Sequence, residues 1–221
     1  MIKKYELIDE IKVIGHKVLH RIRALIDIPR YRVDAGDLGG FIEGESNLSH
    51  DGDCWIGNNA CAYDNAQIYG NARISDNARV YGNACVYSNA HVYGKARIYD
   101  YACVAGKARV YDNALIYGNT CIFGNACIYG DACVSGEAWI TQGKYHTFVM
   151  NIIMLPYGVT AIYPNHVQIG CKLFEICNKK TAIETMKWFR IPEEYHEQIW
   201  LAVRLCKRWL KDNPEKGENN D

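Results

Sequence analysis

Hydrophobic and polar positions repeat along the middle of this chain with a period of six. From Ile56 the residues divide into IGNNAC, AYDNAQ, IYGNAR, ISDNAR, VYGNAC, VYSNAH, VYGKAR, IYDYAC, VAGKAR, VYDNAL, IYGNTC, IFGNAC, IYGDAC and VSGEAW, fourteen hexads ending at Trp139 without an insertion. Ile or Val opens every hexad but one, and Ala holds the fifth place in all but one, where Thr120 stands. Six matches neither the 3.6 period of a helix nor the 2.0 period of an unbroken strand. It matches a short strand followed by a two-residue corner. In Ala-Arg-Ile-Tyr, alternation sends Ala and Ile inward and Arg and Tyr outward. Gly-Asn or Asp-Asn then turns the corner, because Gly and Asn tolerate positive φ. Three such sides close a triangular coil of 18 residues, and stacked coils pair strand on strand at about 4.8 Å.

The flanks break this rhythm. In residues 1–41, His20 to Ile28 alternates like a strand, Tyr31 to Asp34 is its expected partner, and Gly39-Gly40 is the expected turn into the first coil. Ile42 and Leu48 open two irregular hexads, and Cys54-Trp55 shifts the register by two residues. The β-helix is thus expected over 42–141. Beyond it, Thr147 to Leu155, Val159 to Tyr163 and Val167 to Phe174 read as three strands. Thr181 to Phe189 reads as a short helix, and Pro192 starts a longer one whose Tyr195, Ile199, Ala202, Cys206 and Trp209 share a stripe. These make an expected α+β cap over 142–212, followed by a polar tail, 213–221, expected to be disordered.

The hexads resemble the left-handed parallel β-helix of hexapeptide-repeat proteins. With IRALIDI and DLGGFIEGESNLSHDGDCW before them and VQIGCKLFEI after, the chain is similar to phage and prophage hexapeptide-repeat proteins, a group labelled "transferase" or "polymer-forming". The expected fold is therefore mainly β: a left-handed parallel β-helix with an N-terminal β-hairpin and a C-terminal α+β cap. The resemblance implies a homotrimer and a bacterial host cell as the setting.

Charge and composition narrow the function. Lys plus Arg and Asp plus Glu both number 25, which argues against general nucleic-acid binding. No apolar run reaches the ~18 residues of a membrane span, and MIKKYELIDEIKVIG lacks the apolar centre of a signal peptide. A cytoplasmic location is expected, with the ten cysteines reduced.

Residues 18 apart stack, so outward side chains can be assigned to three faces. One carries Tyr69, Cys85, Tyr87, Cys103, Cys121, Phe123 and Trp139 and has no formal charge; it is the expected self-association surface. A second carries Arg73, His91 and Arg109 with Tyr93 and Tyr111. The third carries Arg79 and Arg97 with Tyr81 and Tyr99. Tyr ladders and Arg-Tyr neighbours suit any β-surface. They also suit an anion with a flat ring, gripped by guanidinium forks and stacked on phenol rings between neighbouring subunits.

The Cys85, Cys103, Cys121 column suggests a metal or a disulfide, but thiols stacked at strand spacing do not converge tetrahedrally and no CxxC occurs. Small semi-apolar residues at an interface are the better reading. A zinc site built from several histidines is rejected, because only His91 lies in the regular repeats. No cofactor is expected. An acyl-CoA-dependent acyltransferase is the enzymatic alternative, with His91 as its only candidate base, but such enzymes extrude loops from the coils and these hexads are unbroken. A purely structural oligomer or polymer is a further alternative. The favoured expectation is a non-catalytic phage or prophage binding or scaffold protein. It would sequester an anionic, nucleotide-like ligand or a host factor in a counter-defence role.

Overall fold

The structure, a computed structural model, describes residues 3–145, 151–152, 159–162, 166–169, 172–175, 178–188 and 190–212. Its centre is a parallel β-solenoid of about six turns. Each side of a coil contributes a two-residue strand, and the strands stack into three parallel sheets. The register is 18 residues: Arg79 pairs with Arg97, His91 with Arg109, and Cys103 with Cys121. In each coil the two outward residues donate backbone N–H groups to the next, as in Arg79 to Ala96 (2.9 Å) and Tyr81 to Ile98 (3.0 Å).

The inward positions form one continuous core. Every described Ala at the fifth place and every Ile or Val at the first is buried. Thr120 takes an Ala position by donating its hydroxyl to the Tyr117 carbonyl at 2.6 Å, which satisfies the hydroxyl placed inside. The irregular coil is as expected: Ile42 and Leu48 are buried, and they stand 20 residues from Ala62 and Ile68. Trp55 then pairs with Arg73 at the regular 18, so the two extra residues lie between Leu48 and Trp55.

The corners differ from expectation in which residue turns. The third place of all fourteen hexads has positive φ, and Gly, Asp or Ser fills it at every hexad after the first, where Asn58 stands. The Asn that usually follows bonds between coils instead, Asn65 to Asn83 at 3.1 Å and Asn71 to Asn89 at 3.5 Å. The corner carboxylates have a further task. Asp64, Asp76, Asp100 and Asp112 each accept the backbone N–H of the Gly 18 residues on, at 3.2, 3.0, 3.1 and 3.1 Å.

The N-terminal hairpin is a different one from that expected. Strand β1 (Tyr5–Ile14) pairs antiparallel with β2 (Lys17–Ala24) around Gly15-His16. The charges of Glu6, Asp9, Glu10 and Lys12 obscure β1 in the sequence, yet they belong to a strand at the end of its sheet, where polar side chains meet water. Tyr31 to Asp34 is not the partner strand. Pro29–Tyr31 is a 3-10 turn, and only Val33 bridges back to Ile28. Nor do Gly39-Gly40 form a turn: they lie inside β3 (Leu38–Ile42), which joins the hairpin to the solenoid. A Cβ on Gly39 would lie 2.5 Å from Ile22 Cγ1 and 2.7 Å from the Ile56 carbonyl, so glycine is required there by close approach.

After the solenoid, Asn151–Ile152, Val159–Ile162, His166–Ile169 and Lys172–Glu175 form an antiparallel sheet in sequence order. The expected single strand Val167 to Phe174 is thus two strands of a hairpin, with Gly170 in the sequence between them. Two helices follow, α1 (Lys179–Trp188) and α2 (His196–Asp212), the latter entered through a 3-10 turn at Glu193–Tyr195. Ile199 and Ala202 of the expected stripe are buried. The side chains of Cys206 and Trp209 and the tail 213–221 lie outside the described residues. No described helix is long and apolar enough to cross a membrane.

Candidate functional site

The three outward faces are those read from the spacing, but they are not equally open. Arg73, His91 and Arg109 stack in register in one sheet. The segment after the hairpin folds over the upper part of this column. The Tyr31 ring lies 5.1 Å from the Arg73 guanidinium carbon and meets the His91 ring edge-on at 6.1 Å. Its hydroxyl donates to the Asn71 carbonyl. Arg30 donates to the Asn89 side chain at 2.6 Å and brings a second guanidinium near His91. Burial, then Arg73, Arg30 and Arg109, hold the His91 imidazole below its ordinary pKa. Arg73 and His91 are therefore half-buried beneath this segment, whereas Arg109 is exposed. Periodicity carries no signal of this cover, because Arg30 and Asn89 are 59 residues apart.

Among the described residues, the column through Arg79 and Arg97 is covered only at its start. Leu19, Phe41, Cys61 and Tyr63 form a small cluster beneath the hairpin, with Ile14 and Tyr81 against it. Below it, Arg79 and Arg97 are direct in-register neighbours, followed by Leu115 and Cys133. Like charges facing each other across a strand pair are unfavourable. Among the described residues neither Arg79 nor Arg97 has an ion pair, and neither does Arg109. The nearest acidic residues by sequence are corner aspartates, whose carboxylates already accept Gly N–H groups.

Phenol rings run beside both basic columns. Tyr63, Tyr81, Tyr99 and Tyr117 stack at 4.9, 5.0 and 5.0 Å between centroids, within 5° of parallel. Tyr93 and Tyr111 stack at 4.7 Å, and Tyr111 and Tyr129 at 5.2 Å. Burial raises the pKa of Tyr81, Tyr93 and Tyr99, partly offset by Arg97 and Arg79 at Tyr81 and by Arg109 at Tyr93. The expected Arg-on-Tyr stacking is absent for Arg79, Arg97 and Arg109 among the described residues. Arg73 does stack, on Tyr31.

The uncharged face holds Gln67, Cys85, Cys103, Cys121 and Trp139 in register. Tyr69 and Tyr87 stack at 4.8 Å, and Phe123 meets Trp139 edge-on at 5.7 Å. Tyr69 is 38% exposed and Trp139 44%. Cys103 Sγ lies 3.7 Å from the Tyr87 hydroxyl. No group of three or more His, Cys, Asp or Glu side chains among the described residues is arranged to hold a metal ion.

The YdcK Beta solenoid repeat family matches residues 66–80, 72–88, 78–94 and 108–121, within the regular hexads. No curated protein matches the chain. The observed solenoid and the family match agree that this is a repeat β-helix protein, and in its repeats the chain is similar to the YdcK β-solenoids.

Proposed function

We propose that the chain is a non-catalytic, self-associating β-solenoid that binds an anionic ligand carrying a flat ring, of nucleotide-like chemistry. The carrying observation is the in-register pair Arg79 and Arg97, without a counter-ion among the described residues and flanked by the Tyr81, Tyr99 and Tyr117 stack. Two adjacent guanidiniums repel until an anion bridges them, and each offers a planar fork of donors suited to phosphate. Phenol faces accept a base or another flat ring. Arg109, with Tyr93 and Tyr111, offers the same chemistry on the neighbouring sheet.

The coils are read as triangular and left-handed, on three sides of six residues each and on the hexapeptide resemblance. Flat sides of this kind pack against one another around a three-fold axis. In such a trimer the uncharged face lies inward, and basic faces of two subunits meet across one cleft. The phage or prophage setting, with sequestration of a ligand or host factor inside the bacterial cell, is the biological role that fits a binding surface of this chemistry.

Calorimetry against cyclic and linear nucleotides and acyl-CoAs tests the reading. A charge-assisted hydrogen bond contributes about 1.5–3 kcal/mol, so Arg97→Ala and Arg109→Ala weaken binding about tenfold or more. Arg97→Lys restores little, because a point charge does not replace a fork. Arg73→Ala, already covered by Tyr31, changes affinity little. Absence of binding by the wild type, or equal binding by Arg97→Ala and Arg109→Ala, overturns the proposal. Turnover of an acyl-CoA would replace it with the acyltransferase.

A further inference from the structure

Cys103 and Cys121 are direct partners in the parallel register, one coil apart, and Cys85 lies one coil above. Backbones at strand spacing stand about 4.8 Å apart, inside the Cα separation of about 4.4–6.8 Å that a disulfide spans. All three thiols are free and partly exposed. We propose that this column is a peroxide-reactive dithiol, in which Cys103 is the attacking thiol and Cys121 resolves it into a disulfide that ties two coils together.

The three positions are not equivalent. Cys103 has the Cys121 thiol on one side and the Tyr87 hydroxyl at 3.7 Å, and both are groups that stabilise its thiolate. Its pKa is accordingly lowered, first by Cys121 and also by Tyr87, against an opposing effect of burial. Cys121 is shifted the other way, since the pair holds its remaining proton between two sulfurs. Burial raises Cys85, whose thiol has no comparable partner. The thiolate is the nucleophile, so reactivity concentrates on Cys103.

The chemistry balances with a hydroperoxide as the oxidant. The Cys103 thiolate attacks one peroxide oxygen; an S–O bond forms, the O–O bond breaks, and hydroxide leaves and is protonated to water. The Cys103 sulfur has lost two electrons and is a sulfenic acid. The Cys121 sulfur then attacks it; an S–S bond forms, the S–O bond breaks, and the released hydroxide takes the Cys121 proton as a second water. Two thiols and one hydrogen peroxide thus give one disulfide and two waters. Side chains stacked at a strand spacing of about 4.8 Å must draw their Cβ atoms together to reach the roughly 3.5–4.5 Å of a disulfide, so the bond is strained and readily reduced.

The test treats the full-length protein with hydrogen peroxide, alkylates the remaining thiols after denaturation, and maps peptides by mass spectrometry. The wild type yields a Cys103–Cys121 disulfide that dithiothreitol reverses. Cys121→Ser abolishes that disulfide and slows the oxidation of Cys103, and Cys103→Ser leaves Cys121 unoxidised. Cys103 reacts roughly tenfold faster than Cys85, as its higher thiolate fraction requires. Both substitutions fall on outward positions and leave the core intact. Because Cys103 shares its face with the proposed self-association surface, the reaction is run on dilute and concentrated protein, and sedimentation reads assembly separately. The disulfide at either concentration supports the dithiol whatever the oligomeric state. Its absence at both, or Cys103 reacting no faster than Cys85, overturns it.

Discussion

At the scale of single residues, charge in this solenoid is sorted by place. Asp64, Asp76, Asp100 and Asp112 accept backbone N–H groups from the coil below and so hold coils together, and among the described residues Arg79, Arg97 and Arg109 have no ion pair. His91 shows the opposite case, a half-buried titratable group among cations. Arg73, Arg30 and Arg109 surround it, Tyr31 covers it, and its folded-state pKa lies below the unfolded value. The unfolded chain therefore takes up a proton first as pH falls. The stability associated with neutral His91 is complete above about pH 6.5, and it is lost as pH drops through the lower folded value. Denaturant midpoints measured from pH 8 to pH 5 should fall for the wild type and fall less for His91→Gln. Equal slopes for the two proteins would show that His91 does not contribute.

At the scale of elements, the hexad encodes a side and a corner together. The corner is demanding because each third-place residue is left-handed and lies against the corner of the next coil. Gly94 has φ +70°, and a Cβ there would sit 2.7 Å from the Asp112 amide nitrogen. Gly94→Ala therefore adds backbone strain to a steric overlap, and should cost about 1–3 kcal/mol in chemical denaturation. Gly15, at the hairpin turn with φ +62°, has nothing within 4 Å of such a Cβ. Gly15→Asn keeps a residue that tolerates this region, and should change stability by less than about 1 kcal/mol. If both variants behave alike, stacking between corners is not what restricts Gly94. The same physics explains which elements were legible. Fourteen hexads repeat one local solution, so period, phase and inward set can all be read along the chain. Strand β1 has no such repetition, and its charges read as surface rather than strand until β2 is placed beside it.

At the scale of the whole molecule, three columns of side chains present three different chemistries. The uncharged one is the surface proposed for assembly. Replacing its centre with a cation, Cys103→Arg, would bury an unpaired charge in each copy of the interface, whereas Cys103→Ser is nearly isosteric. Sedimentation should find the wild type and Cys103→Ser as one oligomer and Cys103→Arg as a protomer of unchanged β-sheet circular dichroism. A monomeric wild type would remove the assembly proposal while leaving the basic columns to be tested by themselves.

The sequence alone determined the solenoid, its register of 18, its Ala and Ile/Val interior, the two-residue shift before Trp55 and the membership of each face. All of these follow from a period of six and from alternation, which are local rules repeated along the chain. Only the tertiary structure decided which of these side chains are covered by distant segments. Arg73 and His91 are partly covered because Tyr31, more than forty residues away in the chain, packs against them. Arg79 and Arg97 have no ion pair among the described residues, and the corner carboxylates near them bond to backbone. Cys103 gained distinct chemistry because Cys121 and Tyr87 meet it from neighbouring coils. Each depends on which side chains of distant segments share one small volume, and periodicity carries no term for that.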